Sequence, residues 1–249
     1  MPRLTPALVA SACLFATAAQ PCDLALALAI DVSGSVDPAE YRLQMDGLAA
    51  ALRDPTVSDA LVGAAAAVMV VQWTGASRQA VIVPWRRMLA RSDLLALADE
   101  VEQAPRLWRH FSTGIGEALT FSATQFDAVS DCRRRVIDVS GDGRSNEGVP
   151  PEDVGTGLVS YGFTINGLAI EGSEEDLTGY YRAFVIAGPG AFVMTAKSFA
   201  DYPETIRRKL LTEVALPVTQ AAPEAISIAQ TAPQSAPQTE PEPKPEPAQ

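Results

Sequence analysis

Residues 23–35 read Asp-Leu-Ala-Leu-Ala-Leu-Ala-Ile-Asp-Val-Ser-Gly-Ser. From Leu24 to Ile30 every residue is apolar, so neither face of a strand built here would meet water. The run stops abruptly at Asp31 and passes into a short polar loop. A strand covered on both faces belongs in a sheet with helices on either side. Pro38 to Arg53 follows as a predicted helix, with Asp37 as its N-cap, Pro38 in its first turn and Tyr41, Leu43, Met45, Leu48 and Leu52 as its apolar positions.

The same alternation continues outward. Ala64 to Trp73 (AAAAVMVVQW) predicts a second buried strand, and Gln79 to Pro84 a short third that Pro84 ends. Ser92 to Ala104 reads as a helix capped by Ser92. Thr113 to Ser130 starts in a Gly-containing turn and becomes an amphipathic helix. Arg135 to Ser140 is a strand leading into Gly141-Asp142-Gly143. Pro151 to Gly162 (helix), Phe163 to Ile170 (strand), Leu177 to Ile186 (helix), Ala191 to Thr195 (strand) and Phe199 to Val214 (helix) complete the series. Strands alternating with helices predict an α/β fold: a doubly wound, mostly parallel open sheet with helices on both faces.

The ends differ from this body. Residues 1–19 resemble an export signal, with Arg3 as the only charge, an alanine-rich apolar stretch from Ala7 to Ala16, and Ala16-Thr17-Ala18 as a small-x-small cleavage pattern. A helix packed on the domain is the other reading. Residues 217–249 are rich in Pro, Glu, Ala and Gln, a composition that buries too little apolar surface to offset ordering and predicts a disordered tail. Residues 22–216 remain as one folded domain. The 249 residues carry 19 Lys+Arg against 30 Asp+Glu, a formal charge of −11. Such an acidic surface argues against nucleic acid and anionic membranes as partners. No apolar run reaches the ~20 residues of a membrane-spanning helix.

In open α/β sheets, ligands bind beyond the carboxyl ends of the strands where strand order reverses. Three polar loops fall on that edge: Asp31-Val32-Ser33-Gly34-Ser35, Ser112-Thr113-Gly114 and Gly141-Asp142-Gly143. They bring two carboxylates and several hydroxyls with no His or Cys, a donor set suited to Mg²⁺, Mn²⁺ or Ca²⁺. Two carboxylates only balance a divalent charge, so such an ion keeps a position for an outside oxygen. Taken singly, each loop also reads as an Asx turn, a helix cap or a plain turn.

Together, the Asp-Val-Ser-Gly-Ser loop, Thr113 in Thr-Gly-Ile-Gly-Glu-Ala-Leu and Asp142 in Ser-Gly-Asp-Gly resemble the metal-ion-dependent adhesion site of von Willebrand factor type A domains. The resemblance covers residues 23–215 and extends to a secreted bacterial subgroup of unknown function. It implies that Ser33, Ser35 and Thr113 bind the ion directly or nearly so, and that Asp31 and Asp142 act directly or through water. It further implies one short antiparallel edge strand, at Gln79 to Val83, and a protein partner that presents Asp or Glu to the metal. Gly141 departs from the pattern, since many members have Thr there. With the first and fourth strands adjacent and parallel in that fold, Cys22 and Cys132 lie at similar heights before them. A disulfide between them, closing a loop of about 110 residues, would suit an exported protein, periplasmic or extracellular.

The resulting expectation is an exported, non-enzymatic, metal-dependent binding module. A Mg²⁺-dependent phosphate-ester hydrolase and an envelope protein acting through its tail are the alternatives. Asp138, inside the fourth strand, is expected to be paired in a salt bridge, a second acidic site being the other option. His110, the only histidine, is expected to be an ordinary surface or hydrogen-bonded residue, with pH sensing at the metal rim as the alternative.

Overall fold

The computed structural model describes residues 21–172 and 174–215. The predicted export signal and the predicted tail lie outside these residues. In chain order the elements are β1 (Leu24–Asp31), α1 (Pro38–Arg53), α2 (Pro55–Gly63), β2 (Ala67–Trp73), β3 (Gln79–Arg87), α3 (Arg91–Gln103), α4 (Ile115–Thr124), β4 (Arg134–Gly141), α5 (Pro151–Ser160), β5 (Phe163–Ile170), α6 (Leu177–Tyr180), β6 (Val193–Ala196) and α7 (Tyr202–Ala215). A 3₁₀ turn at Phe126–Val129 follows α4, a π-helical turn at Tyr181–Val185 continues α6, and a second 3₁₀ turn at Phe199–Asp201 leads into α7.

One six-stranded sheet runs in the order β3-β2-β1-β4-β5-β6. All neighbouring pairs are parallel except β2 with β3. Strand order therefore reverses between β1 and β4, at the centre of the sheet, which is where a doubly wound fold places its ligand crevice.

All eight residues of β1 are buried, and their alternation separates two cores by size. Leu24, Leu26, Leu28 and Ile30 face the layer formed by α1, α3 and α7. Ala25, Ala27 and Ala29 face α4 and the turn after α6, alongside Met69, Val71 and Trp73 of β2 and Ile137 and Val139 of β4. Small side chains on that face let α4 lie close to the sheet. Each fully buried leucine is worth roughly 2 kcal/mol of transfer free energy.

Where the elements differ from the sequence reading, local chemistry explains it. The prediction that Pro84 ends β3 is corrected: the strand continues to Arg87. Met69 of β2 stands opposite both Pro84 and Trp85, a bulge on the edge strand, where a missing N–H breaks no ladder bond. The expected Ser92 cap is also corrected, since α3 begins at Arg91. Its end is held by Asp93, whose Oδ2 accepts from Leu89 N–H and Ala90 N–H, both at 2.9 Å. α2 went unpredicted; Asp54 caps it, accepting from Thr56 N–H at 2.8 Å and Val57 N–H at 3.1 Å. Leu43, counted among the apolar positions of α1, is exposed. Asp37 caps α1 as expected, accepting from Ala39 N–H at 2.7 Å while Glu40 closes a capping box.

Cys22 and Cys132 are joined by a disulfide. The β1–β4 register pairs Leu24 with Arg134, which places the residues two positions earlier opposite each other. Asp138 faces α7, where Lys209 Nζ lies 2.8 Å from its Oδ1 and 2.7 Å from Glu213 Oε1, all three side chains being buried. Asn166 Nδ2 donates to Glu213 Oε2 at 2.7 Å and extends the network to β5. Burial pushes Asp138 up to about 6 against the pull of Lys209. Surface arginines pair with acids: Arg86 with Glu100, Arg87 with Asp131, and Arg133 with Asp23.

Candidate metal centre at the strand-order reversal

β1 ends in Asp31 and β4 in Gly141, side by side at the reversal. Asp31 is fully buried, and its Oδ1 accepts from Ser33 N–H at 2.7 Å, which curls the loop back over the strand end. The hydroxyls of Ser33 and Ser35 lie 3.3 Å apart. Ser35 Oγ donates to Asp142 Oδ1 at 2.7 Å, so the first and third polar loops touch.

The Thr113 loop joins them through residues that sequence reading missed. Asn146 holds Thr113 from both sides: its Oδ1 accepts from Thr113 N–H at 2.9 Å, and its own N–H donates to Thr113 O at 2.9 Å. Thr74 Oγ1 donates to Ser112 O at 2.8 Å, and Gly34 N–H to Phe111 O at 2.8 Å. Gly143 leaves room here; a Cβ on it would sit 3.7 Å from Thr113 Oγ1. The structure thus brings Asp31, Ser33, Ser35, Thr113 and Asp142 to one edge of the sheet.

A second supporting chain starts at Gln72 of β2. Its Nε2 donates to Tyr41 Oη at 2.9 Å and Pro105 O at 3.0 Å, and its Oε1 accepts from Leu107 N–H at 3.0 Å. The segment so fixed carries Arg106, whose guanidinium donates to Val32 O at 3.0 Å and Ser33 O at 2.8 Å. Its cationic head clamps carbonyls of the first loop.

The electrostatics are those of an acid-rich cleft. Burial first, and then the like charge of Asp142, push the Asp31 carboxyl up to about 7, against the lowering effect of the Ser33 hydrogen bonds and Arg106. Burial also raises Asp142, with Ser35 opposing it. Asp31 Oδ2 and Asp142 Oδ2 are both buried without a hydrogen-bond partner among the described residues. Two orphaned carboxylate oxygens beside three hydroxyls fit a hard divalent cation, which would supply the missing partner and offset the like charges. Among the described residues there is no cluster of three or more His, Cys, Asp or Glu that would suggest a metal centre elsewhere.

His110 is exposed in the preceding loop with a positive φ of 62°. Trp73 belongs to the core, and Trp85 stacks edge-on against Phe126. Glu174 pairs with Arg144 at 3.0 Å, and Asp176 caps α6 by accepting from Gly179 N–H at 3.1 Å.

Sheet order, the single antiparallel edge strand and the helices on both faces define the fold, which is von Willebrand factor type A-like. Proximal thread matrix protein 1 from the mussel byssus superposes with a TM-score of 0.59 at 19% identity, over 79% of this chain and 49% of that one. A further structure of that protein, described as having a zinc-occupied MIDAS motif, gives 0.55 at 17%, over 78% and 49%. A von Willebrand factor type A protein from Catenulispora acidiphila gives 0.57 at 18%, over 77% and 43%. The present chain spans about half the length of these proteins or less. The chain belongs to the family described as protein of unknown function DUF1194, which matches residues 21–218. No curated protein matches it in sequence.

Proposed function

We propose that the domain is an exported, non-enzymatic binding module that uses a divalent cation at the β1–β4 reversal to engage a carboxylate of a protein partner. The observation that carries this reading is the pair of buried, partnerless carboxylate oxygens on Asp31 and Asp142, set beside the hydroxyls of Ser33, Ser35 and Thr113. These five residues would hold the ion. When bound, the ion supplies positive charge with a position open to an outside oxygen. Asn146 and Arg106 keep the Thr113 and Ser33 loops in place around it.

The oxygen donor set favours Mg²⁺, with Mn²⁺ or Ca²⁺ as substitutes. The zinc-occupied motif described for the byssus protein supports a metal role for this kind of loop cluster. The disulfide supports export, because such bonds persist in oxidising compartments, the periplasm or the exterior. The reading is tested by calorimetry with MgCl₂ and MnCl₂. Wild type should bind one ion, and Asp31→Ala and Thr113→Ala should bind it at least tenfold more weakly. Equal binding by all three sinks the metal site. Partner capture that survives EDTA sinks the metal-dependent mode, and metal-dependent turnover of a generic phosphate ester would support a hydrolase instead.

A further inference from the structure

Tyr181 went unnoticed in the sequence, yet its side chain ends at the candidate metal centre. It is fully buried and opens the π-helical turn Tyr181–Val185, where Ile186 N–H bonds back to Tyr181 O at 3.0 Å. Such turns are frequent at functional sites. Two glycines on adjacent strands make room for it. A Cβ on Gly167 of β5 would lie 2.7 Å from Tyr181 Cδ1, inside contact distance with the ring. A Cβ on Gly141 of β4 would lie 2.8 Å from the Tyr181 hydroxyl and 2.8 Å from Asp31 Oδ2. The phenol therefore occupies the space that a side chain at position 141 would enter.

Both atoms flanking that point are buried and without a hydrogen-bond partner among the described residues. One is a hydroxyl and the other a carboxylate oxygen, and each has what the other lacks. If the residue only filled space, a phenyl ring would do so without burying a hydroxyl.

We propose that Tyr181 is a positioning residue of this centre, its hydroxyl donating to Asp31 Oδ2 through one water held between them beside Gly141. The inference rests on the metal-binding reading above. Ser33 N–H already holds Oδ1, so a donor on Oδ2 fixes the plane of the carboxylate. It also favours the ionised form that a cation requires. Groups that orient metal ligands in this way typically change affinity 10–100-fold when removed.

The test compares the full chain as wild type, Asp31→Ala and Tyr181→Phe, titrated with MgCl₂ and MnCl₂ by calorimetry and by near-ultraviolet difference spectroscopy. Tyr181→Phe should bind about tenfold more weakly, with a metal-free melting temperature equal to or above that of wild type. It should also lose the tyrosine difference signal that metal induces in wild type. Wild-type affinity and an unchanged signal in Tyr181→Phe, with binding abolished in Asp31→Ala, overturn this inference and leave the metal reading standing. A fall in metal-free stability matching the loss of affinity marks a packing role and overturns it too. No binding by wild type, or equal binding by Asp31→Ala, overturns the metal reading and this inference with it.

Discussion

Asp31 is buried with one oxygen held by Ser33 N–H and the other without a partner, so its ionisation is opposed by the fold itself. Its carboxyl titrates near 7 when folded, against a usual value of 3.8. An acid raised in this way binds more protons folded than unfolded across that interval, so its contribution is full below about pH 4 and is lost as pH rises through about 7. The metal-free domain should therefore lose a few kcal/mol between these limits, at ~1.4 kcal/mol per pKa unit. Denaturant melts of wild type and Asp31→Asn across this range check it, the difference between the two curves being the Asp31 contribution. Saturating Mg²⁺ should abolish the decline. A pH-independent difference would refute it.

At the scale of elements, helix α7 is tied to the sheet by charge as well as by apolar contact. Lys209 sits between Asp138 and Glu213 with no exposed surface on any of the three side chains beyond a trace on Asp138. Burial works against the Lys209 charge, but the two carboxylates outweigh it and hold its pKa above the ordinary lysine value. Lys209→Met removes the cation and leaves two buried acids facing each other. It should destabilise the fold by about 3–5 kcal/mol, read as a lower urea midpoint. The β1 alanines make an opposite demand. Ala27→Leu would force an extra side chain between the sheet and α4, and should cost about 1–3 kcal/mol. An unchanged midpoint in either variant would show that the layer concerned adapts more readily than this packing implies.

For the whole molecule, the covalent cross-link among the described residues is the Cys22–Cys132 disulfide, at a separation of 110 residues. It joins the chain just before the two central strands, at the edge of the sheet opposite the candidate centre. Chain-entropy reasoning gives a contribution of about 2–5 kcal/mol, mainly by restricting the unfolded chain. Cys22→Ala/Cys132→Ala should lower the urea midpoint accordingly and steepen the unfolding slope, since a freed chain exposes more surface. Metal affinity should change little, because the loops at the far edge are held by their own hydrogen bonds. A tenfold loss of affinity would instead mean that the bridge sets the β1–β4 register on which the centre depends.

What the sequence determined by itself was periodic or local. The alternation of apolar strand runs with helices sufficed for the doubly wound class, and Asp-x-Ser-x-Ser, Thr113 before a helix and Ser-Gly-Asp-Gly marked the five candidate ligands, because strand burial and loop composition leave marks within a few residues. Pro84 misled for the same reason: a proline reads as a stop, and only the edge position and the bulge opposite Met69 make it tolerable. Asn146 beneath Thr113, Arg106 across the Ser33 loop and Tyr181 beside Asp31 leave no local mark. Their roles arise where segments 33 to 150 residues apart meet, and strand order decides those meetings. Gly141 shows the division most directly. In sequence it is a departure from a pattern, and only the tertiary structure reveals the tyrosine hydroxyl in the space its missing side chain leaves.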